Sequence, residues 1–89
     1  MNIKEYLEDC GLTQKDLIRM FIYDNFNGFG MSFKEKIILI MRVNYTLKKI
    51  AIFLNITPER VRQIEHKGVR KLIRHKSREI MLKYQEDNA

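Results

Sequence analysis

The chain has 89 residues, a net charge of +6 at pH 7 and one cysteine. This length suits one small domain with a modest core, so two independent domains are not expected. The single cysteine excludes an internal disulfide and a cysteine-based metal cluster, and the basic balance favours an acidic partner such as nucleic acid over an anionic membrane.

The charge is unevenly distributed along the sequence. Residues 60–83 contain nine basic and two acidic residues, a balance of +7, whereas residues 1–33 contain three basic and five acidic residues, a balance of −2. No apolar run approaches the ~18 residues of a membrane span, and Glu5, Glu8 and Asp9 interrupt any signal-peptide core. The sequence therefore predicts a soluble, cytoplasmic protein whose last third contacts a polyanion.

The first thirty residues predict two short helices. A stripe of Ile3, Tyr6, Leu7 and Cys10 indicates a helix that Gly11 ends. Thr13 with Asp16 forms an approximate capping box for a second helix to about Phe26, with Leu17, Ile18, Phe21 and Ile22 on its apolar side. The glycines of residues 27–30 then break the helix, so we predict a helical extension over residues 1–30 and a separate unit over residues 31–89.

Two further helices are predicted before residue 56. Ser32 and Glu35 have capping-box spacing, and the periodicity of Phe33, Ile37, Ile38 and Met41 predicts a helix to about Val43. Thr46 is a second N-cap, and the helix that follows buries one face, formed by Leu47, Ile50, Ala51 and Leu54.

The stretch from Thr57 to Lys71 predicts a helix with two unlike faces. Thr57 can cap it and Pro58 suits its first position. One face, expected to be buried, has Val61, Ile64, Gly68 and Leu72; the other has Glu59, Arg62, Gln63, His66 and Arg70. The last helix either continues past Arg74 or restarts near Ser77. The predicted fold class is all-α, a small domain of about five helices with a C-terminal helix-turn-helix.

The spacing of four residues supports that helix-turn-helix. Ala51 is the small residue that faces the partner helix, Asn55 tolerates the left-handed turn, and Val61 and Ile64 hold the crossing angle. Two amphipathic helices that meet without binding DNA would share this spacing, but the basic second helix favours DNA.

The residues of this unit also resemble a known family. They include Tyr45-Thr46-Leu47 with Ile50-Ala51 in the first helix, and Arg60-Val61-Arg62-Gln63-Ile64-Glu65 through Leu72 in the second. Over about Ser32 to Arg78 the chain closely resembles region 4 of primary bacterial sigma factors, the domain that reads the −35 promoter element. It looks like a stand-alone region 4, similar to small phage-type or mobile-element regulators.

The resemblance implies roles for individual residues. Glu59 and Gln63 would contact base edges, where glutamate suits a cytosine amino group and glutamine suits adenine. Arg62 would contact a phosphate or a base. Pro58 stands where the family has a guanine-reading arginine, and proline has no donor for that contact. The implied DNA-binding residues are Glu59, Arg60, Arg62, Gln63, His66, Lys67, Arg70 and Arg74.

A protein partner is implied as well. Region 4 domains dock on the flap of the RNA polymerase β subunit through an apolar concavity made by their first helices. In this chain the implied polymerase-binding residues are Phe33, Ile37, Ile38, Met41 and Leu47. The N-terminal helices could also form a homodimer.

These observations predict a DNA-binding transcription regulator that contacts promoter DNA and bacterial RNA polymerase. The alternative is a protein-binding module that docks on the polymerase or on a sigma factor with little specific DNA binding. An enzyme is the least supported class, because His66 and His75 lie nine positions apart and no metal set, phosphate loop or activated nucleophile accompanies them. We expect no cofactor, metal or catalytic residue.

Overall fold

A computed structural model describes residues 1–23, 30–75 and 77–87, except the side chains of Tyr23 and of residues 84–87. These ranges form an all-α fold of six helices: α1 Ile3–Cys10, α2 Gln14–Tyr23, α3 Phe33–Arg42, α4 Leu47–Leu54, α5 Pro58–Arg74 and α6 Ser77–Asp87. The predicted fold class is confirmed. Residues 24–29, which include the predicted end of the second helix and most of the glycine-rich turn, lie outside the described ranges.

Local signals at the helix ends agree with the predictions. Gly11 ends α1 with a left-handed backbone, at φ 69° and ψ 31°. Ser32 and Glu35 form a complete capping box at the start of α3. The chain does not continue from α5 into one long helix, because His75 caps α5 and α6 begins at Ser77. This break accounts for six helices where about five were predicted.

Two apolar clusters hold the helices together, and α3 and α5 contribute to both. The larger cluster joins α1, α2 and α6 to Leu39 of α3 and to Val69 and Leu72 of α5. The smaller joins Ile38 of α3 to α4 and to the first turns of α5. Because Ile38 and Leu39 are adjacent, α3 packs between the two clusters. The larger cluster thus combines residues from both sides of residue 30.

Polar contacts also tie the N-terminal helices to this unit. Gln14 of α2 donates from Nε2 to the Ile40 carbonyl at 2.9 Å and accepts from Asn44 Nδ2 at 3.1 Å. The hydroxyls of Tyr6 in α1 and Ser77 in α6 share a buried hydrogen bond of 2.9 Å. These contacts position α1 and α2 against α3 and α6. A homodimer through the N-terminal helices stays a prediction.

Two side chains differ from the predicted apolar faces. The buried residues of α3 are Glu35, Ile38 and Leu39, so Phe33, about 200° round the helix from Glu35, is exposed and lies away from the buried face. Ile22 is exposed too, because it lies about 100° round α2 from the buried Phe21. Periodicity found both helices but placed the centre of each buried face imprecisely.

Candidate nucleic-acid interface

The turn between α4 and α5 sets the geometry of the interface. Asn55 has a left-handed backbone, at φ 58° and ψ 45°, and its N–H donates to carbonyls at the end of α4. The N–H of Ile56 donates to the Ala51 carbonyl at 3.0 Å. The predicted turn residue is confirmed, and the chain enters α5 at a fixed angle.

The start of α5 is capped as predicted. The Thr57 hydroxyl accepts a hydrogen bond from the Arg60 N–H at 3.1 Å, and Pro58 occupies the first helical turn, where no intrahelical partner for its missing N–H is needed. The buried face packs Val61 and Ile64 against Ile50 and Ala51 of α4. Because this packing and the cap fix α5, its other face is held outward.

That outward face holds every residue of the predicted DNA-binding set. All eight side chains are exposed: Glu59, Arg60, Arg62, Gln63, His66, Lys67, Arg70 and Arg74. From Glu59 to Arg74 they extend over about 22 Å of helix at 1.5 Å per residue. A grooved surface of about 390 Å³ lies among His66, Lys67, Arg70, Lys71 and Arg74. The helix thus presents a continuous polar face with a strongly basic second half.

Two of these side chains pair with one another. Arg62 donates from Nε to Glu59 Oε2 at 2.9 Å and from Nη2 to Glu59 Oε1 at 2.6 Å. This hydrogen bonding and the positive charge of Arg62 lower the pKa of the Glu59 carboxyl, which is therefore ionised at neutral pH. Both side chains are more than half exposed, so the pair arranges the surface but contributes little to stability.

A buried glutamate anchors the opposite side of α5. Glu65 accepts a hydrogen bond from the Ile3 N–H at 3.1 Å through Oε2, and from Arg42 Nε at 3.2 Å through Oε1. It therefore joins α1, α3 and α5 at one point. Sequence reasoning gave Glu65 no such role, although its place between Ile64 and Gly68 is a signal, because a charged residue on a buried stripe requires a partner.

A second ion pair fixes the C-terminal half of α5. Lys71 Nζ donates to Glu35 Oε1 at 3.0 Å and to the Gly30 carbonyl at 2.8 Å. Burial raises the pKa of the Glu35 carboxyl, but the hydrogen bonds from Lys71 and Ser32 and the charge of Lys71 outweigh it, so the pKa falls below its ordinary value. Lys71 therefore belongs to the scaffold, while Arg70 beside it stays exposed.

The predicted polymerase-binding residues differ in their exposure. Ile38 is fully buried in the smaller cluster, which corrects its expected place at the surface. Ile37, Met41 and Leu47 are half-buried, and Phe33 lies about 12 Å along α3 from Met41 at 1.5 Å per residue. The prediction followed the apolar periodicity of α3, which includes the residues that bind α4.

A different apolar surface is exposed nearby. A groove of about 460 Å³ is lined by Met41, Tyr45, Lys49 and Phe53. Phe53 and its neighbour Ile52 are each 74% exposed, and Tyr45 is half exposed. The sequence contained a signal for this surface, because the face of α4 formed by Ile50, Ala51 and Leu54 leaves Ile52 and Phe53 outside it. We call this surface the α4 groove.

The described residues contain neither a metal site nor a membrane span. Within these ranges no group of three or more His, Cys, Asp or Glu side chains could hold a metal ion. None of the helices there combines the length and apolar character needed to cross a membrane.

Two helices joined by a left-handed turn, the second capped and exposing a basic face, define a helix-turn-helix DNA-binding domain. Comparison with protein families gives a match to the family described as Sigma-70, region 4 over residues 30–74, which are 45 of the 89 residues. The chain belongs to this family of DNA-binding regulatory domains. No curated protein and no solved structure matches the chain.

Proposed function

We propose that the protein is a transcription regulator that binds promoter DNA through α5 and bacterial RNA polymerase through the α4 groove. The observation that carries the proposal is the exposed polar face of α5, held outward by the cap at Thr57 and by Glu65 beneath it. Membership of the sigma region 4 family supports both partners. The β-subunit flap is the proposed contact on the polymerase.

The two halves of α5 suit different DNA contacts. The first half offers Glu59, Arg62, Gln63 and His66, whose donors and acceptors can pair with base edges in the major groove. Arg60 and Lys67 are placed beside them, and Arg70 and Arg74 follow on the second half, where cations suit the phosphate backbone. Base preference should therefore depend on the first half and salt-sensitive affinity on the second.

Exchanging one residue from each half separates these roles. We expect Gln63→Ala to weaken binding to a duplex selected from a random pool by about 1–3 kcal/mol and to change random duplexes little. Arg70→Ala should weaken both alike and reduce the slope of log affinity against log salt by about 1. Fluorescence anisotropy over a series of salt concentrations measures both. Equal losses for Gln63→Ala on selected and random duplexes would contradict base contact.

The polymerase contact is proposed for the α4 groove rather than for the start of α3. An aromatic and aliphatic surface that includes Phe53, Ile52 and Tyr45 is typical of protein interfaces, where a few large side chains dominate binding. Met41 is the one residue of the predicted set that lines the groove. The family resemblance therefore still indicates RNA polymerase as the partner, whereas the exposed side chains indicate the α4 groove as the surface that contacts it.

Phe53→Asp is expected to weaken retention of purified RNA polymerase by at least about 30-fold, the effect of losing a ~2 kcal/mol anchor. Phe33→Asp is the matched control, because Phe33 is 76% exposed, close to the 74% of Phe53, yet lies away from the groove. Both variants should unfold at the temperature of the parent protein, since neither side chain is in the core. Binding is measured by pull-down after nuclease treatment.

If Phe33→Asp loses more polymerase retention than Phe53→Asp does, the polymerase contact lies at the start of α3 instead of in the α4 groove. If neither substitution changes retention, the polymerase is not held by an apolar surface on α3 or α4.

One observation favours a second function, a protein-docking module with little specific DNA binding. Glu59 and Arg62 form an ion pair, and Pro58 has no donor. The start of α5 therefore has fewer free donors and acceptors for base edges than its composition suggests. Salt separates the two functions. Phosphate binding weakens steeply as salt rises, whereas apolar docking changes little and has a negative heat-capacity change.

A further inference from the structure

The described surface has a second apolar groove, formed by α1, the last turn of α5 and α6. Its volume is about 480 Å³, and it is lined by Tyr6, Cys10, Ile73, Arg78, Glu79 and Leu82. Ile73 is 51% exposed, although its side chain is aliphatic. Of the lining residues only Ile73 lies within the residues that match the sigma region 4 family, so most of this surface comes from helices outside the match. We call it the α6 groove.

The α1 wall of the α6 groove is acidic. Asp9 lies about 60° round the helix from Tyr6, and Glu5 lies about 100° round it in the same direction. Both carboxylates are exposed, whereas Leu7, about 100° the other way, is buried. Lys4 is the one basic residue of α1 and lies about 160° from Tyr6, away from the groove. The outer edge of this wall is therefore negatively charged.

The α6 wall has the opposite charge. Arg78 lines the groove and Lys83 is exposed further along α6, while Glu79 is the one acidic residue among the described side chains of this helix. Among the described side chains, none forms an ion pair with Asp9 or Arg78. Both charges are therefore available to a partner.

A surface with an apolar groove between an acidic wall and a basic wall is complementary to itself. A two-fold axis parallel to the groove places the acidic wall of each copy against the basic wall of the other, and the two apolar grooves meet. We propose that the α6 groove is the interface of a homodimer, in which Asp9 of each copy pairs with Arg78 of the other. Both charges belong to one chain, so a second copy supplies the complement of each wall. The inference does not depend on binding of DNA or polymerase.

The size of the interface sets its strength. At 1.5 Å per residue α1 and α6 are about 12 and 16 Å long, and each is about 10 Å wide, so together they present on the order of 300 Å². A stable interface buries about 800 Å² on each partner. The dimer is therefore weak, with a dissociation constant on the order of 10–100 µM. Because ion pairs at its edges are exposed, it should weaken further as salt rises.

Sedimentation equilibrium of the full-length protein at low salt, over about 5–500 µM, measures this association. We expect Ile73→Asp to weaken it at least about ten-fold, because a charge then enters the apolar part of the interface. Ile52→Asp is the matched control, since Ile52 is also an exposed isoleucine but lies outside the α6 groove. It should leave the association unchanged. Thermal unfolding followed by circular dichroism shows whether each variant folds.

A charge exchange tests the pairing without relying on the apolar change. Asp9→Arg places two arginines opposite each other at both edges of the dimer, and Arg78→Glu places two acidic residues there, so each variant alone should be monomeric. An equimolar mixture of the two variants re-forms an opposite pair at both edges. We expect the mixture to associate within about three-fold of the parent protein. A variant that had lost its fold would not regain association in this way.

Three results would overturn the inference. If the parent protein stays monomeric over the whole concentration range, the α6 groove is not a homodimer interface. If the parent associates and folded Ile73→Asp associates as well as it does, the dimer uses another surface. If the mixture of Asp9→Arg and Arg78→Glu stays monomeric although both variants fold, the two walls do not face each other across a two-fold axis.

Discussion

Glu65→Ala is expected to lower the free energy of unfolding by about 3 kcal/mol, because removing one partner of a buried ion pair leaves the other uncompensated. Glu65 is 3% exposed and satisfies both the Ile3 N–H of α1 and the Arg42 guanidinium of α3. Alanine leaves the Ile3 N–H and Arg42 Nε without their acceptor, although Arg42 Nη1 still donates to the Tyr45 carbonyl at 3.2 Å. Arg42 keeps some contact with water, so the expected loss is at the lower end of the range for buried pairs.

Urea denaturation followed by circular dichroism measures this loss. For a domain of this size it corresponds to a fall in Tm on the order of 15 °C. Glu59→Ala is the matched control, since it removes a glutamate with an arginine partner from the same helix, but one that is exposed. It should change the free energy of unfolding far less than Glu65→Ala does, because solvent screens an exposed pair.

A second variant identifies the cause of the loss. Arg42→Met added to Glu65→Ala removes the unpaired guanidinium and should recover part of the stability, because apolar replacement of a whole buried pair is often close to neutral. If Glu65→Ala costs no more than Glu59→Ala, the contact of Glu65 with α1 and α3 does not stabilise the fold.

Gly68→Val is expected to destabilise the protein by about 3 kcal/mol through overpacking where α5 crosses α3. A Cβ atom at residue 68 would lie 3.0 Å from Cδ1 and 3.2 Å from Cγ of Leu39, whose side chain is fully buried. Glycine therefore favours the close helix crossing although its backbone is helical, because a Cβ here would require the Leu39 side chain to shift by a few tenths of an ångström. The additional methyl groups of valine have no room, and α3 would be displaced.

Gly68→Ala is the control for helix propensity. Alanine favours the helix by about 1 kcal/mol over glycine, which offsets much of the contact with Leu39, so its net effect should be small. Leu39→Ala combined with Gly68→Val should cost less than the sum of the two single changes by at least about 1 kcal/mol, because the smaller side chain makes room. Thermal and urea unfolding of the parent protein, the two single variants Gly68→Val and Leu39→Ala, and the double variant provide the test. If the losses of unfolding free energy are additive, the strain in Gly68→Val does not arise from its contact with Leu39.

Much of the fold followed from local patterns. The caps at Ser32, Thr46 and Thr57 each use a hydrogen bond to a residue three positions later, so their signal is contained in a short stretch of sequence. The left-handed turn at Asn55 is likewise a property of one residue type. The polar face of α5 follows from helical periodicity, which is why all eight predicted DNA-binding residues are exposed.

The apolar surfaces were harder to predict. Periodicity identifies a helix that has an apolar stripe but does not say which part of the stripe another helix covers. Ile38 and Phe33 were expected on one docking surface, yet α4 and α5 cover the first and leave the second exposed. On α4 an apolar residue that was not assigned to any surface is exposed, because the core contacts of α4 use one face and leave Phe53 outside.

The sequence by itself determined the helices, their caps, the turn of the helix-turn-helix and the polar face of α5, because each depends on residues within a few positions of one another. Tertiary structure decided the role of Glu65, whose partners are 62 and 23 positions away, and the pairing of Lys71 with Glu35, 36 positions away. The Glu59–Arg62 pair is local by contrast, and the spacing of three residues permits it without selecting it over contact with a base. Long-range contacts form only when the helices pack, and their partners are set by helix crossings that no short stretch of sequence specifies.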